Sequence, residues 1–288
     1  MPDYDVVTKE RLTLGECPIW SEAEGALYYI DILGPALFRQ EASGGATRWD
    51  MPSSIGSFAL TEDGRALVAL RDGLYMLDLT SKALTKQASV AHDTASMRFN
   101  DGRCDRSGRF WVGSMVEPRT SAEGPLYSFT PNEGLREKES GVVVSNGLAF
   151  SPDDQILYYA DSNKRTVWAY DFDIASGDVS NRRVFIETPE KIGRSDGAAV
   201  DADGCYWGAL IGHVGRFTPE GKLDKLIEMP FSRVTMCAFG GPGLDTLFVT
   251  SASNRLTEAE MAAQPLAGHI LALKPGVAGL AEPRYRAG

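Results

Sequence analysis

Six recurrences of one strand-turn-strand phrase, and helical patterning confined to one short segment, predict an all-β fold: a six-bladed β-propeller of four-stranded blades, with residues 1–288 as one domain. The phrase is a short apolar strand, a turn of Asp, Gly, Ser or Pro, and a second strand rich in Tyr, Trp, Leu and Val. It runs from Pro18 to Ile30, from Phe58 to Ala69, from Gly102 to Gly113, from Leu148 to Tyr159, from Ala198 to Gly208 and from Cys237 to Val249. The turn positions Gly25, Gly64, Gly108, Asp154, Gly204 and Leu244 lie roughly 40 to 50 residues apart, the spacing of a repeat array.

Each phrase is followed by a third strand, as in Gly73-Leu-Tyr-Met-Leu77 and Thr166-Val-Trp-Ala-Tyr170, and a fourth precedes the next copy. Six units of about 48 residues hold four short strands and their turns. A doubly wound α/β fold would need a helix of about 10 to 15 residues after each strand, and the pattern supplies none. The exception is Leu256 to Gln264, where Thr257 and Glu260 form a capping box ahead of a Pro-Leu-Ala-Gly stop. It reads as a short helical insert near the C-terminus.

Composition narrows the partners. Hydrophobic residues make up 43% of the chain and charged residues 24%, enough apolar material for a packed core. With 29 Lys+Arg against 39 Asp+Glu the net charge is −10, which repels phosphate backbones and anionic headgroups, so neither nucleic acid nor membrane is an expected partner. The acidic start Met1-Pro2-Asp3-Tyr4-Asp5 lacks a basic n-region, and a cytoplasmic protein is expected. Oligomeric state is not legible. Cys17, Cys104, Cys205 and Cys237 form no CxxC pair and read as buried free thiols, while His92, His213 and His269 form no HExxH. Trp111, Trp168 and Trp207 are expected to pack between blades.

A propeller collects the first residues of its innermost strands around one axis. Four such strands open on oxygen-bearing side chains: Glu16 in Leu14-Gly-Glu-Cys-Pro-Ile-Trp20, Asn100 in Met97-Arg-Phe-Asn-Asp-Gly102, Asn146 in Val144-Ser-Asn-Gly-Leu148 and Asp196 in Arg194-Ser-Asp-Gly-Ala198. A single Asn-Gly or Asp-Gly is an everyday turn. Four in equivalent register are not, and together they offer hard oxygen ligands carrying two negative charges to a divalent cation. Calcium, magnesium or manganese suits such ligands, and a permissive site also takes zinc or iron(II).

At these residues the chain resembles the gluconolactonase and regucalcin family of sugar lactonases. The likeness rests on Leu-Gly-Glu-Cys-Pro-Ile-Trp at 14 to 20, Arg-Phe-Asn-Asp-Gly-Arg at 98 to 103, Phe-Trp-Val-Gly-Ser-Met at 110 to 115, Ser-Asn-Gly-Leu-Ala-Phe-Ser-Pro-Asp at 145 to 153, Ser-Asp-Gly at 195 to 197 and Gln-Pro-Leu-Ala-Gly at 264 to 268. It implies a six-bladed propeller that hydrolyses a small-molecule sugar lactone to the aldonic acid with one axial divalent metal, calcium first. By that resemblance Glu16, Asn146 and Asp196 hold the metal, Arg98 and Asn100 meet the substrate, and Glu117 holds its hydroxyls. Asp196 is assigned as the general base. Cys17 departs from the resemblance, standing where Gly or Ser is commoner.

Two rival readings are carried forward. Gly193-Arg-Ser-Asp-Gly197 formally matches the GxSxG of a serine esterase, with His213 and His269 downstream, but lacks the strand before and helix after that such an elbow needs. The other is a non-catalytic propeller that binds a partner and carries a structural calcium ion.

Overall fold

The phrases fold as strand pairs because their turns are closed from within. In the third copy Asp105 Oδ1 accepts from the backbone N–H of Ser107 at 2.9 Å and of Arg109 at 3.1 Å, while Oδ2 accepts the indole N–H of Trp111 at 2.9 Å. Asp201 repeats this at the same spacing, accepting from Asp203 and Cys205 and, at 2.8 Å, from the Trp207 indole. One carboxylate thus ends the first strand, shapes the turn and satisfies the buried tryptophan of the second. Trp111 and Trp207 are fully buried, as expected of inter-blade residues.

The computed structural model describes residues 3–41 and 43–287. Four sheets have four antiparallel strands in chain order. The first comprises Gly15–Ser21, Ala26–Asp31, Ala36–Glu41 and Ala46–Asp50. The second begins with Ile55–Leu60, the third with Met97–Cys104 and the fourth with Ser145–Phe150.

The last sheet corrects the expected architecture, because the described strands form five sheets rather than six. It has six strands in the order Asp5–Val6, Leu271–Leu273, Thr246–Ser251, Leu223–Gly240, Tyr206–Phe217 and Ala198–Val200. The 18-residue strand Leu223–Gly240 joins the fifth and sixth phrases: its first part pairs with Tyr206–Phe217, its second with Thr246–Ser251. Between Glu228 and Arg233 the pairing slips, from His213↔Glu228 to Ile211↔Arg233, so Pro230 sits in a bulge and the strand runs on past it. The N-terminal strand Asp5–Val6 completes the sheet by pairing with Leu271–Ala272.

Six inner strands nevertheless make a closed ring. Gly15–Ser21 packs on Ile55–Leu60, then in turn follow Met97–Cys104, Ser145–Phe150, Ala198–Val200 and Leu223–Gly240, which returns to Gly15–Ser21. Apolar side chains fill the wedges between neighbouring sheets. Ile30, Trp49, Phe58 and Val68 meet in one wedge, and Leu27, Tyr29, Phe38, Phe248 and Ile270 seal the last sheet against the first. The outermost strand Leu84–Ser89 is mostly exposed, so polarity rises outward. The expected helix is present at Glu258–Ala263 with both capping-box bonds. All four cysteines are free and buried. No described helix is long and apolar enough to cross a membrane.

The inner strands end under the C-terminal tail. Tyr285 N–H donates to the Leu60 carbonyl, Arg286 N–H to that of Gly108, and Arg284 reaches Thr61 and Ser21. Cover at that end leaves the strand beginnings as the mouth.

Candidate functional site

Two buried aspartates set the mouth. Asp31 closes the Tyr-Tyr-Ile-Asp strand and accepts from the N–H of Thr13 at 2.8 Å and Leu14 at 3.0 Å. Asp161 closes Tyr-Tyr-Ala-Asp and accepts from Val143 and Val144, each at 3.2 Å. Each clamp therefore lies just ahead of a proposed ligand, Glu16 in one blade and Asn146 in the other.

Bulges then aim the side chains. The strand register shifts between Glu16 and Ile19, between Phe99 and Gly102, and between Asn146 and Ala149. An extra residue at such a point turns its neighbour out of the pleat, here toward the axis. The residue after the ligand is left-handed in both outer cases, Cys17 at φ 50° and Gly147 at φ 63°. This gives the Cys17 departure its physical meaning, since glycine adopts that conformation without strain and cysteine does not.

The six sequence-predicted residues Glu16, Arg98, Asn100, Glu117, Asn146 and Asp196 all line one cavity of about 630 Å³ at the mouth. That size suits a small ligand. Asn100 is the hub: its Oδ1 accepts from Arg98 Nη1 at 2.7 Å, and its Nδ2 donates to Asn146 Oδ1 at 2.8 Å and to the Ser145 carbonyl at 2.7 Å. Asn146 Nδ2 in turn donates to Ser162 Oγ at 2.8 Å. That orientation leaves a lone pair of Asn146 Oδ1 uncommitted. Glu117 accepts from Arg71 Nη1 at 2.8 Å and lies 3.6 Å from Arg98 Nε.

The carboxylates of Glu16 and Asp196 receive no side-chain hydrogen bond among the described residues. Burial drives the Glu16 carboxyl well above its ordinary range, and the charges of Asp196 and then Asp101 add to the rise. Asp196 is raised in the same direction, first by burial and then by Asp101. Two carboxylates without a side-chain hydrogen bond, facing one cavity beside a free amide oxygen, fit a divalent cation, whose charge would offset their repulsion. The described residues contain no cluster of three or more His, Cys, Asp or Glu, so an amide ligand is needed to complete the set.

The esterase rival finds no support in this geometry. Ser195 Oγ is buried without a partner, His213 Nδ1 bonds to its own neighbour's carbonyl at Ile211, and His269 is held by Thr8. A 3-10 turn, Glu190–Ile192, precedes the serine and a strand follows it, the wrong order for a nucleophile elbow.

The family model described as SMP-30/Gluconolactonase/LRE-like region matches residues 14–253, a span that contains Glu16, Arg98, Asn100, Glu117, Asn146 and Asp196. The chain belongs to this family. It is 38% identical over 283 residues to a 6-deoxy-6-sulfogluconolactonase of Pseudomonas putida, covering 97% of each protein. It is 34% identical to a Xenopus laevis regucalcin, covering 98% of this chain and 97% of that protein. A solved structure of a calcium-binding regucalcin from Agrobacterium tumefaciens superposes with a TM-score of 0.94 at 30% identity, covering 99% of this chain and 98% of that one.

In this SMP-30/gluconolactonase family member several mouth residues escape a motif-based reading. Arg71 and Ser162 hold Glu117 and Asn146 from neighbouring loops. Arg119, Arg194, Arg233 and Arg255 also line the cavity. Only Arg194 had a local signal, being two residues before Asp196 in a phrase already singled out.

Proposed function

We propose that the protein hydrolyses a sugar lactone to its aldonic acid with one divalent metal held by Glu16, Asn146 and Asp196, calcium first. The observation that carries this is the pair of carboxylates without a side-chain hydrogen bond, facing one cavity beside the Asn146 oxygen. Relatives named as a lactonase and as calcium-binding support it. The six-strand inner ring supports a six-unit propeller whose last two units share one sheet. Four free thiols accord with a reducing, cytoplasmic setting.

A divalent ion, when bound, polarises a carbonyl oxygen and acidifies water. The remaining steps belong to the chain. Asp196 takes a proton from the water that attacks the lactone carbonyl carbon. As the tetrahedral centre collapses, the bond to the ring oxygen breaks and Asp196 returns the proton to that oxygen. Arg98 spends Nη1 on the Phe99 carbonyl and Asn100, leaving Nη2 to orient a substrate oxygen. Asn100 acts mainly as a positioning residue, because both its amide hydrogens are engaged. Glu117 holds sugar hydroxyls.

The test is acid release from aldonolactones with and without chelator, using Asp196→Ala alongside. Turnover should need the metal and fall about a hundredfold or more in the variant. A variant keeping more than about a tenth of the rate overturns the assignment. Calcium binding without hydrolysis of any lactone favours the non-catalytic module.

A further inference from the structure

Arg119, Arg194, Arg233 and Arg255 line the cavity above the proposed ligands, and none makes a salt bridge among the described residues. Most other arginines of this acidic chain do pair with a carboxylate. Arg233 has a buried Nε without a partner, and its Nη2 reaches only Asn254 Oδ1 at 3.2 Å. Arg119 is repelled by Arg255, Arg194 and Arg233 and attracted by Asp196, so the four arginines share one region of space beside the proposed ligands. The nearby acids are committed elsewhere: Glu117 to Arg71 and Arg98, Glu260 to the Thr257 cap, and Glu16 and Asp196 to the proposed metal.

Backbone strain sharpens the point. Arg119 and Arg255 both sit at left-handed φ, 55° and 62°, positions where Gly or Asn would relieve the turn. The chain thus holds two arginines at strained positions within a like-charge cluster. Net charge is −10 overall, so the cluster reverses the field locally at the mouth. A tetrahedral oxyanion, carrying charge and several acceptor oxygens, offsets the repulsion and suits guanidinium geometry. The hydroxyls of a neutral sugar would leave four cations facing one another.

We propose that Arg119, Arg194, Arg233 and Arg255 form an anion subsite, and that the preferred lactone carries a sulfonate or phosphate at the end away from its ring carbonyl. This rests on the lactonase reading. The anion would enter first against the arginines and set the carbonyl end down toward Asp196.

The experiment is calorimetric titration of the calcium-loaded protein with three product acids: gluconate, 6-phosphogluconate and 6-deoxy-6-sulfogluconate. At least one of the two charged-tail acids should bind about tenfold or more tighter than gluconate, with the advantage shrinking as salt rises. Which of the two leads identifies the anion. The advantage should drop to within about threefold in the exposed-site double variant Arg119→Gln/Arg255→Gln, and separately in Arg233→Gln. Three acids binding alike to the wild type, or an advantage unmoved in both variants, overturns the proposal. Gluconolactone turnover, assayed in parallel, separates the two claims: turnover without anion preference sinks the subsite alone, and preference without turnover of any lactone sinks the hydrolase alone.

Discussion

The Asn100 side-chain amide donates to Asn146 Oδ1 across 2.8 Å and so ties the inner strands of two adjacent blades together at the mouth. Because Asn100 Oδ1 is taken by Arg98, the donor face of Asn100 is fixed toward Asn146. This bond and that from Asn146 Nδ2 to Ser162 Oγ together set which way the Asn146 oxygen points.

Replacing Asn100 with Ala should loosen the Asn146 amide, leaving it the Ser162 bond alone of its two side-chain contacts. Loss of such a supporting contact typically weakens metal affinity or activity about 10 to 100-fold. Calcium titration should show that loss, whereas Asn100→Ala binding calcium as tightly as wild type would mean the bridge does not position the ligand.

Asp161 is fully buried and accepts from the N–H groups of Val143, Val144 and Asn163. Asp161→Ala leaves those donors without their acceptor, at a cost of about 2–4 kcal/mol from charge-assisted bonds. Urea unfolding should report that loss, and calcium affinity should fall with it, because the clamp precedes Asn146 by only two residues.

Glu117 bridges Arg71 and the buried Arg98. Its carboxyl is held below the usual range, first by the Arg71 hydrogen bond. Glu117→Gln should raise KM for a lactone by about tenfold, the scale of one lost charged contact, with kcat changing much less. Steady-state kinetics that lowered kcat alone would place Glu117 in the chemistry instead.

Without metal, the mouth should make stability fall with pH. Glu16 and Asp196 have folded-state values above the unfolded ones of about 4. Raised carboxyls stabilise the fold fully below the unfolded value and lose that contribution as pH climbs through the folded one. Chelator-treated protein should therefore melt at lower temperature at pH 8 than at pH 5.5 as far as these groups act. Asp196→Asn should recover about 2–4 °C at pH 8, roughly 1 kcal/mol for a large domain. A variant with the wild-type slope between those two pH values would show that this repulsion is not the cause.

Local chemistry carried most of what the chain discloses about its own fold. Aspartates placed six residues before Trp111 and Trp207, and the Thr257–Glu260 capping box, act within a few residues and read directly as turn and helix. The sheet count did not read so well, since Pro230 is accommodated in a bulge of one long strand instead of ending it, and hydrogen bonding continues across two phrases. The arginines were harder still. They come from three separate connections and, for Arg233, the middle of a strand, and no spacing in the chain marks them as neighbours.

The amino-acid sequence by itself determined the repeating strand pairs, the buried aromatic wedges and the placing of Glu16, Asn100, Asn146 and Asp196 on or just ahead of inner strands. Those properties depend on side-chain period and turn chemistry, which are local. Only the tertiary structure decided that these residues share a mouth with four arginines that make no salt bridge among the described residues, and that the last two phrases share a sheet. Ring closure brings together residues more than two hundred positions apart, as when Thr235 Oγ1 bonds to the Gly15 carbonyl, and such meetings are set by packing rather than by any neighbour in the chain.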